Sequence, residues 1–426
     1  MKIVIVGYGP GGAAAAVAAR MFSSESDIKI LTDETLEAHK KPGASLALEF
    51  PDTEKLSIND WSVAALAEKR IEVLSGTRVE AGDPVTKTLQ IVNGNGASVL
   101  KFDRLILATG GIPNVPNIPG IALQGVFTIQ TLADTRAIGK QLSGMSTIVI
   151  IGAGFSGLET AERMINLGKE THMVVRSRLM RRQLEPPMSA ELRSRLPRSF
   201  KLHLGSSPTE IVGDQHVVGV SIGDEIIDAD AVLFMTGVKP NTTLAQSLGV
   251  RIGDLGGIIV NEQMQTSEHD IFAVGDCIEM KDTYTGKNIL LPIGSMAARC
   301  GRQAGVAAVG GKKIYADTSK RLQYDRLFGI DVVCIGHSST TANDLGAKTV
   351  VQYIEDPIEF SKTALILDSN GRLIGGQVIA SRQGARLGYE ILERVESGVI
   401  LKDQPLLKPR HERLLEYLEN SFGPIQ

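Results

Sequence analysis

The sequence predicts an α/β chain: two copies of one strand–turn–helix domain on parallel sheets, one inserted in the other, followed by a C-terminal α+β domain. Three observations carry this. Apolar strand-like runs end in glycines and lead into helical patterns again and again, as βαβ units do. The run Ile3–Gly12 returns as Ile148–Gly157, and Leu107-Ala108-Thr109-Gly110 returns as Phe234-Met235-Thr236-Gly237. Beyond about Ala316 the glycine pattern stops. There, strands such as Ala364–Leu367 alternate with an amphipathic helix near Ala385–Val395, and Asp368-Ser369-Asn370-Gly371 carries hairpin-type residues. The expected domains are 1–112 with 241–315, then 113–240, then 316–426.

Length agrees, since 426 residues at roughly 150 per domain make about three domains. The N-terminal run Lys2–Val6 meets glycine after four apolar residues, so it reads as a buried strand and not as a signal peptide. A net charge of −3 invites neither nucleic acid nor an anionic membrane, and Trp61 is the single tryptophan available for base stacking. No apolar run reaches the roughly 18–20 residues of a membrane span. Cys277, Cys300 and Cys334 stand far apart, without metal or disulfide-framework spacing, so a reducing cytoplasm is the expected compartment. His172, His203, His216, His269, His337 and His411 form no pair at metal or triad spacing, and no metal site is expected.

The chemistry sits in the repeated turns. Gly7, Gly9 and Gly12, with Pro10 and Gly11 between them, follow a strand and open the Ala-rich helix Ala13–Arg20. One glycine makes the turn, one lets backbone reach a pyrophosphate, and one packs helix on strand. The helix N-terminus then offers free N–H groups to the phosphates. The next strand, Ile28–Leu31, ends at Asp33 and Glu34, where a ribose-binding carboxylate is expected, with Glu34 preferred. The second turn, Gly152, Gly154, Phe155, Ser156 and Gly157, leads to Glu159 and Glu162. Its second strand, Thr171–Val175, ends without an acid and runs into Arg176, Arg178, Arg181 and Arg182. Clustered guanidinium groups in place of an acid suit a 2′-phosphate, so NADPH is favoured over NADH.

Further motifs carry a family resemblance. Ala108-Thr109-Gly110-Gly111-Ile112-Pro113 is similar to an ATGxxP hinge, and Thr236-Gly237-Val238-Lys239-Pro240-Asn241 to the matching TGxxPN. Thr266–Asp276 resembles the motif TSxPxIFAxGD, with Gly275 and Asp276 at its end. In this order the motifs resemble the FAD-dependent pyridine nucleotide-disulfide oxidoreductases. The resemblance implies FAD on the first turn and NAD(P)H on the second, with Asp276 accepting hydrogen bonds from the flavin's ribityl chain. It implies a seat for nicotinamide at Glu159 or Glu162. The tail is similar to the dimerisation domain of the NADH oxidase and coenzyme A-disulfide reductase branch, which implies a homodimer.

The departures bear on the acceptor. That branch carries a redox Cys shortly after the first ribose acid, and here the segment reads His39-Lys40-Lys41-Pro42-Gly43-Ala44-Ser45-Leu46. Ser45 cannot form a thiolate or a mixed disulfide. The peroxidase branch uses a His in the first turn, where this chain has Pro10. The same segment is similar to the ferredoxin- and rubredoxin-reductase pattern GDExxxxYxRPPLSK, with His39 at the aromatic position and Leu46 at the flavin-proximal Lys. Lys41 is expected beside the flavin. The expected activity is therefore an NAD(P)H:acceptor oxidoreductase that passes electrons directly to an electron-carrier protein, a quinone-like molecule or O₂. Coenzyme A-disulfide or polysulfide reduction, and a non-catalytic flavin-binding sensor or scaffold, are the alternatives.

Overall fold

The computed structural model describes residues 1–35, 38–40, 43–52, 54–312, 320–356 and 360–400. Two compact units emerge: 1–117 with 126–145 and 233–319, and 118–125 with 146–232 and 320–426.

The first unit is built on a parallel sheet in the order Ile271–Ala273, Arg104–Leu107, Lys2–Val6, Asp27–Leu31, Ile71–Leu74. Ile3, Ile5, Ile28, Ile30 and Leu105–Leu107 are buried, as a sheet covered on both faces requires. The helix Pro10–Phe22 follows the first strand directly, and Pro at its first turn costs no hydrogen bond. It packs against the helix Gly294–Ala308 along Gly301 and Gly305, where a Cβ would stand 2.2 Å from the carbonyl oxygens of Gly11 and Ala15. Only a glycine pair lets these two helix backbones come so close.

In the second unit, the parallel strands Lys201–Leu204, Glu170–Val175 and Thr147–Ile151 lie side by side. The helix Phe155–Asn166 follows Thr147–Ile151 as Pro10–Phe22 follows the first strand. The C-terminal part is an antiparallel sheet in the order Leu322–Leu327, Ile330–Gly336, Leu373–Ala380, Ser361–Asp368, Thr349–Asp356. The helix Gly384–Ser397 buries Ile391, Leu392 and Val395 against Val333, Leu365 and Val378. The expected turn forms at Asp368: Gly371 N–H donates to its carbonyl at 3.0 Å and Asn370 N–H to its carboxylate at 2.8 Å.

Candidate functional site

Four motifs of the first unit fall on one edge of one sheet. Gly275 and Asp276 follow the strand Ile271–Ala273, and Thr109 and Gly110 follow Arg104–Leu107. The turn Gly7–Gly12 follows Lys2–Val6, and Asp33 and Glu34 follow Asp27–Leu31. These strands are parallel neighbours, so all four segments line the carboxyl edge, where open α/β sheets bind ligands.

The Gly7–Gly12 turn fits a pyrophosphate. Gly7 has φ +113°, and a Cβ there would meet the Ala108 carbonyl oxygen at 2.1 Å. At Gly12 a Cβ would lie 2.0 Å from the Gly7 oxygen, so this glycine serves helix–strand packing. At Gly9 a Cβ would meet nothing within 4 Å. Packing therefore does not demand a glycine at this helix-capping position, and the room in front of it is what close backbone approach by a phosphate needs. Gly154, equivalent in the second turn, is open in the same way, and Gly152 has φ +107°. Glu34 is half-buried and Asp33 exposed.

The two hinge motifs zip together. Gly111–Pro113 pairs antiparallel with Val238–Pro240. The Thr109 hydroxyl donates to the Asn241 carbonyl at 2.6 Å, Asn241 N–H donates to the Gly110 carbonyl at 2.9 Å, and the Thr236 hydroxyl donates to Asn114. Gly110 and Gly237 adopt φ +68° and +87°, which glycine takes without strain.

Ser45 is 5 % exposed and leads into the short helix Leu46–Glu49. Lys41 lies outside the described residues. All three thiols are buried and protonated. Burial pushes Cys300 and Cys334 up to about 12 and moves Cys277 in the same direction. Cys277 donates to the Val274 carbonyl at 3.2 Å, so it closes the turn before it and does not face outward as a nucleophile.

In the second unit the arginine cluster divides. Arg176, Arg181 and Arg182 are exposed, and Arg182 stands 3.8 Å from Asp344. Arg178 is turned into the fold: one guanidinium nitrogen donates to the carbonyls of Arg181 at 3.0 Å and Leu184 at 3.2 Å. The arginine loop closes over the turn through Met180 N–H, which donates to the Ala153 carbonyl at 2.8 Å. The two candidate acids on the helix also divide. Glu162 accepts from Phe328 N–H at 3.0 Å and from Arg163 at 3.0 Å. Glu159 has a buried Oε2 with no donor, and its side chain meets the carboxyl of Asp325. Burial and then Asp325 raise the Glu159 carboxyl to about 10, against the weaker downward pull of Arg163.

Two further clusters went unmarked in the sequence. Glu185, 2 % exposed, accepts from Ser339 N–H at 2.7 Å, from its hydroxyl at 2.5 Å and from the Gln377 amide at 3.3 Å. His172 and His203, which have neither metal nor triad spacing along the chain, stack with ring centroids 5.3 Å apart and share a 3.1 Å hydrogen bond. They lie on neighbouring parallel strands, a proximity that spacing along the chain does not encode. Among the described residues no group of three or more His, Cys, Asp or Glu could hold a metal ion. Nor is any described helix long and apolar enough to cross a membrane.

Comparison with known proteins places the chain. Residues 1–305 match the family described as pyridine nucleotide-disulphide oxidoreductase. The chain belongs to that family. It is 29% identical over 417 residues to an NADH oxidase of Methanocaldococcus jannaschii, covering 93% of this chain and 90% of that one. The structure of an NAD-dependent persulfide reductase from A. fulgidus superposes with a TM-score of 0.87 and 25% identity, over 99% of this chain and 84% of that one. An engineered water-forming NADPH oxidase bound to NADPH superposes at 0.84 with 21% identity, over 99% and 98%. This member of the family is a FAD-dependent NAD(P)H oxidoreductase.

Proposed function

We propose that this oxidoreductase transfers two electrons from NADPH through flavin to an external acceptor without any redox-active thiol. The observation that carries this reading is the state of the sulfur. Ser45 stands in the segment where the resemblance places a redox Cys, and the three cysteines are buried and held protonated. A thiol of pKa about 12 supplies almost no thiolate at neutral pH, and thiolate is the species that attacks a disulfide. Flavin, when bound, supplies the hydride-accepting chemistry.

In this reading 1–112 with 241–315 bind FAD, through Gly7, Gly9, Pro10, Gly11, Gly12, Asp33, Glu34, Lys41, Thr109, Gly110, Gly275 and Asp276. Residues 113–240 bind NADPH, through Gly152, Gly154, Phe155, Ser156, Gly157, Glu159, Arg176 and Arg182, and 316–426 mediate a homodimer. Thr236 and Gly237 belong to the hinge that joins the domains. The acceptor is an electron-carrier protein taking one electron at a time, or a small quinone-like molecule or O₂ taking two electrons with protons.

The coenzyme preference has support of its own. The engineered NADPH oxidase carries Asp→Ala, Ala→Arg and Met→Ser at three successive positions and Pro→Arg five beyond, with a Gly→Ala eighteen before the first. This chain has Val175, Arg176 and Ser177 in succession and Arg182 five beyond, with Gly157 eighteen before Val175. This sequence thus has the Arg, Ser and Arg introduced into that enzyme, with Val175 in place of the introduced Ala and with the glycine kept.

The test is turnover by a variant with Cys277, Cys300 and Cys334 all changed to Ser. Its anaerobically NADPH-reduced flavin should reoxidise with a carrier protein, a quinone or O₂ as fast as that of the unaltered enzyme. Loss of reoxidation in a variant that keeps its flavin would favour the thiol-dependent reading, to which the persulfide reductase likeness points.

A further inference from the structure

Glu159 and Glu162 lie one turn apart on the helix that opens at the second dinucleotide turn, yet only Glu162 is provided with donors. The Glu159 Oε2 is buried with no N–H or hydroxyl reaching it, and burial without a donor disfavours the ionised carboxylate. The group that meets it is a second carboxyl, Asp325, from the strand Leu322–Leu327 of the same unit. A second carboxyl in hydrogen-bond contact makes Glu159 harder to ionise and favours a proton on it.

The surrounding charges do not alter this. On the helix, Arg163 is committed to Glu162 at 3.0 Å. On the strand beside Asp325, Arg326 pairs with Asp331 at 2.7 Å. The neighbouring strand Thr147–Ile151 carries no ionisable side chain, and Glu170–Val175 contributes Glu170 and His172, which bond each other at 3.1 Å. Lys201 also pairs with Glu170. Among the described residues Arg163 is the cation that acts on Glu159, and its pull is weaker than burial and Asp325 together.

We propose that Asp325 is a positioning residue for Glu159: one shared proton bridges the two carboxyls and presents Glu159 to the nicotinamide carboxamide as a neutral hydrogen-bonding group. The proposal rests on the reading that NADPH binds at the second turn. A neutral carboxyl suits an uncharged amide, which offers both a donor and an acceptor, and the single negative charge of the pair then lies on Asp325. Glu162 is then the structural acid of the pair, anchoring the helix to Phe328.

The test uses the flavin-loaded enzyme. Infrared difference spectra should show the carbonyl stretch of a protonated carboxyl at pH 8, absent in Glu159→Gln. With NADP⁺ as probe, the Kd of the unaltered enzyme should stay flat from about pH 7.5, above the second ionisation of the 2′-phosphate at about pH 6, and rise only as pH approaches 10, where Glu159 ionises. Asp325→Asn removes a neighbouring negative charge, so Glu159 ionises more readily and the rise should move down by at least one pH unit. Asp325→Glu should restore the original profile, and Glu159→Gln should flatten it. Flavin content verifies folding of each variant. Absence of the carboxyl band in the unaltered enzyme, or an Asp325→Asn profile superimposable on the original, would overturn the proposal. Failure of NADP⁺ to bind the unaltered enzyme at any pH would instead overturn the coenzyme reading, while the infrared band still decides the shared proton.

Discussion

Gly9 and Gly154 are the positions where a single side chain separates ligand binding from folding. At both, a Cβ points into open space, whereas at Gly12 it would strike the Gly7 carbonyl at 2.0 Å. Gly9→Val should therefore fold, with unchanged circular dichroism, but retain at least tenfold less FAD, a loss of ~1.4 kcal/mol or more. Gly154→Val should keep its flavin and raise the KM for NADPH by a similar factor. Gly12→Val should fail to fold. Full flavin content in Gly9→Val would show that the first turn is no phosphate site. These glycines were legible in the sequence because strand, turn and helix lie within about 30 residues and each fixes its neighbour's role. Asp325 was not legible. It reaches Glu159 from 166 positions away along the chain and sits in no motif, so only the folded backbone brings the two together.

At the level of elements, the loop after the strand Glu170–Val175 sorts its arginines by the direction of their hydrogen bonds. Arg178 holds the carbonyls of Arg181 and Leu184 and is spent on the loop's own shape, while Arg176 and Arg182 remain at the surface. A guanidinium–phosphate hydrogen bond contributes roughly 1.5–3 kcal/mol, about ten- to a hundredfold in affinity. Arg176→Ala and Arg182→Ala should each raise the KM for NADPH by about tenfold or more and leave that for NADH nearly unchanged. Arg178→Ala should lower the melting temperature and shift both coenzymes alike. Equal changes for NADH and NADPH in the Arg176 variant would remove the 2′-phosphate from the account. The sequence showed four clustered arginines but not which faced outward, because that depends on the turn through Met180, at φ +48°, and not on spacing. The same holds for the close helix pair along Gly301 and Gly305. Their i, i+4 spacing is visible in the sequence, but the partner helix, almost 300 residues earlier, is not.

Across the whole chain, the order of motifs, the two glycine turns and the α+β character of the C-terminal part follow from local pattern, and the family match covers residues 1–305. The chain departs from the family's name at sulfur. In the proposed reading its glycines serve dinucleotide binding, while its cysteines pack cores: Cys277 and Cys300 in the first unit, and Cys334 in the C-terminal sheet. The central claim is that reducing equivalents leave through flavin alone. An anaerobic absorbance titration of the FAD-loaded enzyme with NADPH tests it most directly. The account predicts that the flavin is fully bleached after one NADPH per FAD, with two electrons taken up and no long-wavelength thiolate–flavin band at any stage. Uptake of four electrons per FAD, with such a band appearing midway, would reveal a redox-active disulfide and contradict it.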